Sequence, residues 1–416
     1  MNFTQHTIGT TPLHLISTDK FKNVHIAVRF FDTLDKRRAT VRHLLVSMMK
    51  SKTRVHPTRK AFSRHLETLY DTMLHGTSSK FGILHINQID IGMINPALLS
   101  EWGLMDDVID ALAQVLYEPV LDEVTLKEEK QFLRDFFASE YSNKTRYATK
   151  RYFDHLFEDH PYNVHPFGAT SVIDSITLDD IREEHRRMLA DDAALVSVVG
   201  NIDADLLKAT ISEKLVLPSS PLPKEVFSRA SIKAQGEVNE TMDVTQARLF
   251  MTLKSGVFYS DDDYATMMVF NALFGDNAES MLFQIIREQH GLAYYAHSSY
   301  APSSGLITVN AGVDETNVEK TKAIVRDILR DIQHGTFDDA QLSLAKTTLT
   351  ASLKKSFDSL RSLSNKALRH AIFGVPFEKE TMMQAIQTVS REDVVRTANR
   401  LELIFNYVLR GQDNEA

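Results

Sequence analysis

Apolar positions along the chain recur with two periods, one helical and one strand-like, and the two alternate in the same order in each half. Residues 41–49 repeat at helical spacing, which predicts a helix with an apolar face. On it His43, Val46 and Ser47 stand at i, i+3 and i+4, sharing one side. Residues 82–92 and 305–313 alternate with a period of two and predict strands. Each is followed by a helical stretch, 104–117 and 316–332, and then by a longer one, 126–157 and 338–373. Thr177 and Ser390 precede acidic first turns and are predicted N-caps. Behind each lies a helix and then an apolar run, 194–200 and 403–409. These echoes lie roughly 210–220 residues apart, far beyond the ~20–50 residues of a solenoid unit, so the pattern predicts a duplicated domain.

Hairpin-forming strands and blocks of helices in each half predict an α+β fold, with two homologous domains that each carry a mainly antiparallel sheet and helices packed on one face. Between the halves, Leu217-Pro218-Ser219-Ser220-Pro221-Leu222-Pro223-Lys224 concentrates proline and serine, which predicts extended, exposed chain. The expected organisation is an N-terminal domain over 1–217, a linker over 218–235 and a C-terminal domain over 236–416.

Composition narrows the function classes. The 416 residues include no cysteine, which excludes disulfides and thiolate metal sites and fits a reducing compartment, so a cytoplasmic location is expected. A formal net charge of -8 argues against a nucleic-acid surface. No apolar run approaches the ~20 residues of a membrane span, and Met1 to His6 does not begin like a signal peptide, so no membrane association is expected.

The chemistry starts from a gap. In the inverted zinc motif H-x-x-E-H, the first, fourth and fifth places hold a ligand, a general base and a second ligand. From His43 onward only the first is kept. The forward motif H-E-x-x-H is absent. Glu183-Glu184-His185 has Ile181 where the first ligand belongs, and His155, His160 and His165 are separated by Pro161 and Pro166, which reads as a solvated loop. No G-x-S-x-G elbow and no phosphate-binding G-x-x-x-x-G-K-[ST] loop occurs. The basic stretch Lys144, Arg146, Lys150 and Arg151 reads as a solvated helix face, and residues 70–76 could form an edge strand.

Met281-Leu282-Phe283-Gln284-Ile285-Ile286-Arg287-Glu288-Gln289-His290-Gly291-Leu292-Ala293-Tyr294-Tyr295 reads as helix, glycine stop and strand. This segment resembles the L-F-x-x-L-R-E-x-x-G-L-A-Y signature of the pitrilysin/insulinase-like (inverzincin) peptidases. Asp159-His160-Pro161-Tyr162 through Gly168, the stretch 173–201, and the helix around Leu126 to Asp135 resemble that family in the same order. The resemblance covers nearly the whole chain and implies two homologous α+β domains. Carried over residue by residue, it places His43 at the first zinc histidine, Val46 at the catalytic glutamate, Ser47 at the second histidine and Asp135 at the third ligand. Valine accepts no proton, serine is a poor zinc ligand, and a catalytic zinc needs three protein ligands, so no metal is expected in this chain. The resemblance also implies that Arg287 positions a substrate carbonyl and that Tyr294 donates to a developing oxyanion, roles that suit a charged fork and a phenol.

Some half-size members of the family work as heterodimers, in which one subunit has the zinc motif and the other has the Arg/Tyr pair. The resemblance therefore implies a metal-free subunit of a heterodimeric zinc endopeptidase, with zinc in a homologous partner carrying H-x-x-E-H and a peptide as substrate. The alternative is a non-enzymatic scaffold or peptide-binding subunit of the same fold.

Overall fold

The structure is a computed structural model and describes residues 1–99, 103–223, 232 and 234–411. The expected linker thus lies partly outside the described residues. The strands are β1 (Asn2–Ile8), β2 (Thr11–Ser17), β3 (Asn23–Thr33), β4 (Met73–Phe81), β5 (Leu84–Ile94), β6 (Ala193–Gly200), β7 (Gly236–Met242), β8 (Ala247–Lys254), β9 (Ala293–Ala301), β10 (Leu306–Val313) and β11 (Glu402–Gly411). The α-helices are α1 (Lys36–Met49), α2 (Arg59–Thr68), α3 (Leu104–Tyr117), α4 (Glu123–Ser142), α5 (Lys144–Leu156), α6 (Leu178–Asp191), α7 (Ala204–Lys214), α8 (Tyr264–Phe274), α9 (Val318–Gln333), α10 (Asp339–Lys355), α11 (Leu360–Phe373), α12 (Lys379–Thr388) and α13 (Arg391–Ala398).

The chain forms two compact units, one of residues 1–139, 164–226 and 357–373, the other of 140–163, 227–356 and 374–416. Each contains one sheet. The first runs β1-β2-β6-β3-β5-β4 and is antiparallel except for the β2/β6 pair. The second runs β7-β11-β8-β10-β9 and is antiparallel except for β7/β11. The expected α+β fold of two sheet-and-helix domains is what the chain adopts.

In the first unit one sheet face carries Val24, Ile26, Val28 and Phe30 of β3. These pack with Leu44, Leu45 and Met48 of α1, Val108 and Leu112 of α3, and Ile181 of α6. The alternate residues of β3 point the other way, and there α11 covers the sheet. Arg29, fully buried, donates from Nη2 to Ser364 Oγ (2.9 Å) and Asn365 Oδ1 (3.2 Å) of that helix, and from Nε to Gln88 Oε1 (2.6 Å). In the second unit Leu249, Met251 and Leu253 of β8 share a core with α8, α9 and α13. Tyr152 of α5 lies on the opposite face, stacked on Phe250 at 4.7 Å and within hydrogen-bond reach of Thr252 (2.8 Å) and Thr308 (2.9 Å).

Both covering helices come from places where the sequence reads as unbroken helix. The expected helix over 126–157 is interrupted at Asn143, whose side chain accepts from the Thr145 and Arg146 amides and so starts α5 afresh. The one expected over 338–373 stops at Lys355 and resumes at Leu360. The expected N-caps hold. Thr177 and Ser390 each accept from the amide three residues on, and Asp180 and Asp393 return the bond as capping boxes.

Candidate functional site

Helix α1 carries the degenerate motif, and its sequence explains its burial. Between Ala39 and Met49 every residue but His43 is buried, so the helix is a core element all round. Val46 is 1 % exposed and faces Gly76 of β4, where a Cβ would come within 2.7 Å of Val46 Cγ1. Ser47 is buried beside it. His43 stacks on Phe167 with centroids 3.9 Å apart, and Phe136 and His165 pack on the same phenyl ring at 5.0 and 4.9 Å. Burial, helped by the Lys50 cation and the nearby His165 and His85, pushes His43 down to about 3. Its Nδ1 is buried without a hydrogen-bond partner among the described residues.

Asp135 does not join this group. On α4 the buried Leu126 and Leu133 mark the inward face, and Asp135 lies about 200° around the axis from Leu133, at ~100° per residue. It is exposed and accepts from Gln131 Nε2 at 2.9 Å. The inward side at that level is filled by Phe136 and Phe137. Among the described residues no group of three or more His, Cys, Asp or Glu side chains could hold a metal ion. The residues at the motif do not fit a zinc ion: one imidazole is stacked against phenylalanine, the base position is a packed valine, and the third carboxylate is turned to solvent. Restoring the letters does not restore the site. The double variant Val46→Glu, Ser47→His is expected to bind no stoichiometric zinc by metal analysis, and to lose stability because a carboxylate replaces a packed valine under Gly76.

What fixes α1 instead is a buried charge network that sequence reasoning missed. Arg42, fully buried, pairs with Glu184 (2.9 Å), Asp192 (2.7 Å) and Asp32 (3.7 Å). Arg187 pairs with the same three carboxylates. Burial outweighs the two arginines at Asp192 and raises its carboxyl to about 6. Arg42 Nε donates to His85 Nδ1 at 3.1 Å, so the His85 proton sits on Nε2, which donates to the Pro166 carbonyl at 2.7 Å. Burial and the Arg42 charge push His85 down to about 3. The signal was present: Arg42 is a cation inside an apolar helix, and Glu184 belongs to the near-miss motif. His185 of that motif bonds to the Leu116 carbonyl at 2.7 Å.

The loop ending at Gly168 closes over α1. Lys80 Nζ donates to the Val164 carbonyl (2.9 Å), and the Ala169 amide donates to Thr40 Oγ1 (3.0 Å). Gly168 has φ +87°, and a Cβ there would lie 1.8 Å from Thr40 Oγ1 and 2.5 Å from the Thr40 amide nitrogen. Gly168→Ala therefore meets backbone as well as a left-handed φ. It is expected to destabilise the protein by ~3 kcal/mol or more in denaturant melts. The other histidines of the cluster are hydrogen-bonded, and His155, expected in a solvated loop, lies within α5. His160 and His165 accept from the amides two residues on, and His155 bonds Glu240 at 2.8 Å. Of the basic stretch, Arg151 pairs with Glu240 and Lys150 with Asp154.

The second half presents the opposite picture. Arg287 lies in a π-helix, Phe283–Gln289, ended by Gly291 at φ +60°. Its side chain is 43 % exposed, with a 3.7 Å contact to Glu288 and a 4.8 Å cation–π contact to Phe283. The π-helix packs on β9, the edge strand of the second sheet. There Gly312 pairs with Tyr295 and Val313 with Ala293, so Tyr294 is the extra residue of a β-bulge. Tyr294 is 74 % exposed, and its side chain makes no hydrogen bond with the described residues. Both irregularities are devices that re-aim a side chain, and both occur often at functional sites. Neither has a residue-type signature in the sequence.

Residues 175–349, the span that contains Arg287 and Tyr294, match the family model described as the peptidase M16 inactive domain. That span is similar to an M16 inactive domain. The likeness extends beyond that span. A Bacillus subtilis protein described as a probable inactive metalloprotease is 26% identical over 412 residues, covering 97% of each chain. Among solved structures, a conserved protein from Enterococcus faecalis matches with a TM-score of 0.91 at 24% identity over 100% of both chains. A structure described as the peptidase M16 inactive domain from Pseudomonas fluorescens matches with a TM-score of 0.83 at 18% identity over 99% of both. The resemblance to pitrilysin-like peptidases is thereby borne out: the chain is similar to M16 inactive-domain and inactive-metalloprotease proteins. Among its described residues no helix is long and apolar enough to cross a membrane.

Proposed function

We propose that this M16 chain is the metal-free subunit of a heterodimeric zinc endopeptidase. A homologous subunit carrying H-x-x-E-H supplies the zinc and the general base, and the substrate is a peptide. Arg287 holds a substrate carbonyl with its guanidinium fork, and Tyr294 offers a phenolic O–H to the oxygen on which negative charge develops. The observation that carries the reading is a contrast within one chain. The metal motif has been packed shut with valine and phenylalanine, whereas the Arg287 and Tyr294 side chains project from a π-helix and a bulge with polar ends available. A pure scaffold has no use for such a pair.

The test is co-purification with a homologous H-x-x-E-H subunit, followed by zinc analysis and a peptidase assay of each chain alone and of the mixture. The expected result is one zinc per heterodimer, held by the partner, with activity only in the mixture. A tightly bound zinc on this chain alone, or peptidase activity without the partner, would sink the proposal.

A further inference from the structure

The geometry points to Tyr295, Gly312 and Arg248 as a clamp that positions Tyr294; this deepens the trans-site reading and rests on it. The three residues lie in one row across the second sheet, Tyr295 on β9 opposite Gly312 on β10, and Gly312 opposite Arg248 on β8. Strands two places apart are separated by about 9.6 Å, at ~4.8 Å per neighbour, too far for ordinary cross-strand contact. Here the central residue has no side chain. The Tyr295 ring therefore lies over Gly312 and reaches Arg248, whose Nη1 donates to the Tyr295 hydroxyl at 2.9 Å. That hydroxyl donates in turn to Asn310 Oδ1 at 3.3 Å, and the guanidinium sits 5.5 Å from the ring centroid.

Gly312 is required by space and not by backbone conformation. A Cβ there would stand 2.6 Å from Tyr295 Cε1 and 2.8 Å from Arg248 Nη1. Arg248 has no carboxylate partner among the described residues, and its Nε is buried without an acceptor, so Tyr295 is its principal anchor. An edge-strand bulge is otherwise free to slip, because it lacks a ladder partner on its outer side. Fixing Tyr295 across three strands pins the residue that follows the bulge, and so fixes the direction in which the bulged Tyr294 leaves the sheet.

The test places 3-fluorotyrosine at position 294 and records its fluorine resonance in the full chain without any partner. The parent is expected to give one resonance displaced from that of the denatured chain. Tyr295→Phe, which keeps the ring and removes only the hydroxyl, is expected to move it towards the denatured value with the melting temperature nearly unchanged. Gly312→Ala is expected to move it further, and Arg248→Gln covers the case in which Gly312→Ala does not fold. In the heterodimer Tyr295→Phe is expected to lower kcat on the order of tenfold while KM stays constant, as misplacement of a transition-state donor does. An unchanged resonance in both Tyr295→Phe and Arg248→Gln overturns the clamp whatever the complex does. Full turnover by Tyr294→Phe overturns the trans-site reading instead, and leaves the chain-alone result standing.

Discussion

Tyr294→Phe in the reconstituted heterodimer is expected to lower kcat by about 10²–10³-fold, the usual effect of deleting one oxyanion donor. Subunit association and thermal stability should not change, because the hydroxyl is exposed and bonds to nothing among the described residues. Surface substitutions of that kind stay within ~0.5 kcal/mol. Arg287→Ala should lower kcat/KM on a similar scale with a rise in KM, since a positioning group acts on the bound substrate as well as on the transition state. Arg287→Lys should not rescue it, because an ammonium lacks the planar fork. Steady-state kinetics on the mixed subunits, with association followed separately, decide the matter. Wild-type turnover in both variants would remove these side chains from the chemistry.

The second large effect is destabilisation of the first unit in mild acid. His14, His43 and His85 all lie in that unit, and burial lowers them from 6.5 to about 4, 3 and 3. A histidine whose folded value is depressed resists protonation only while the protein is folded. Its contribution is complete above pH 6.5 and is withdrawn as pH falls towards the folded value. At pH 5 each site has cost about 2 kcal/mol, from ~1.5 pH units at 1.36 kcal/mol per unit. Asp192, raised to about 6, works in the opposite sense, because the folded state takes up its proton first and returns about 1.4 kcal/mol by pH 5. The balance of about 4–5 kcal/mol is a large part of a typical domain stability of ~5–15 kcal/mol. The melting temperature should therefore drop on the order of 10 °C or more between pH 7.5 and pH 5. His14→Phe, which removes one proton site from a buried position, should flatten the profile. A melting temperature that stays level across this range would show that these imidazoles are solvated in solution.

Much of this was legible because periodicity and capping are local. Thr177 and Ser390 announce their helices with the acids three residues on, and two such segments at a long interval reveal a duplicated α+β fold. The losses at Val46 and Ser47 were legible as chemistry, since no environment turns valine into a base. The charge network was hidden, because Arg42 and Asp32 are distant in sequence from Glu184 and Asp192 and only folding brings them into contact. The helix breaks at Asn143 and after Lys355 were hidden because the flanking residues favour helix on both sides, and one side chain or one turn decides. The bulge at Tyr294 and the π-turn at Arg287 were hidden for a deeper reason. Both are shifts of backbone hydrogen bonding by a single residue, and apolar periodicity is insensitive to one inserted residue at the edge of a sheet.

The helices α5 and α11 carry a consequence for biosynthesis. Each completes the unit whose remaining parts are mostly drawn from the other half of the chain. When the ribosome has finished the strands of the first sheet at Gly200, the face holding Arg29 has no cover, and it stays open until residues 360–373 emerge. A nascent chain of that length lacks the α11 partners of Arg29 for the translation of some 160 further residues, about 8–32 s at ~5–20 residues per second. The first unit is therefore completed only after residues 357–373 have been made.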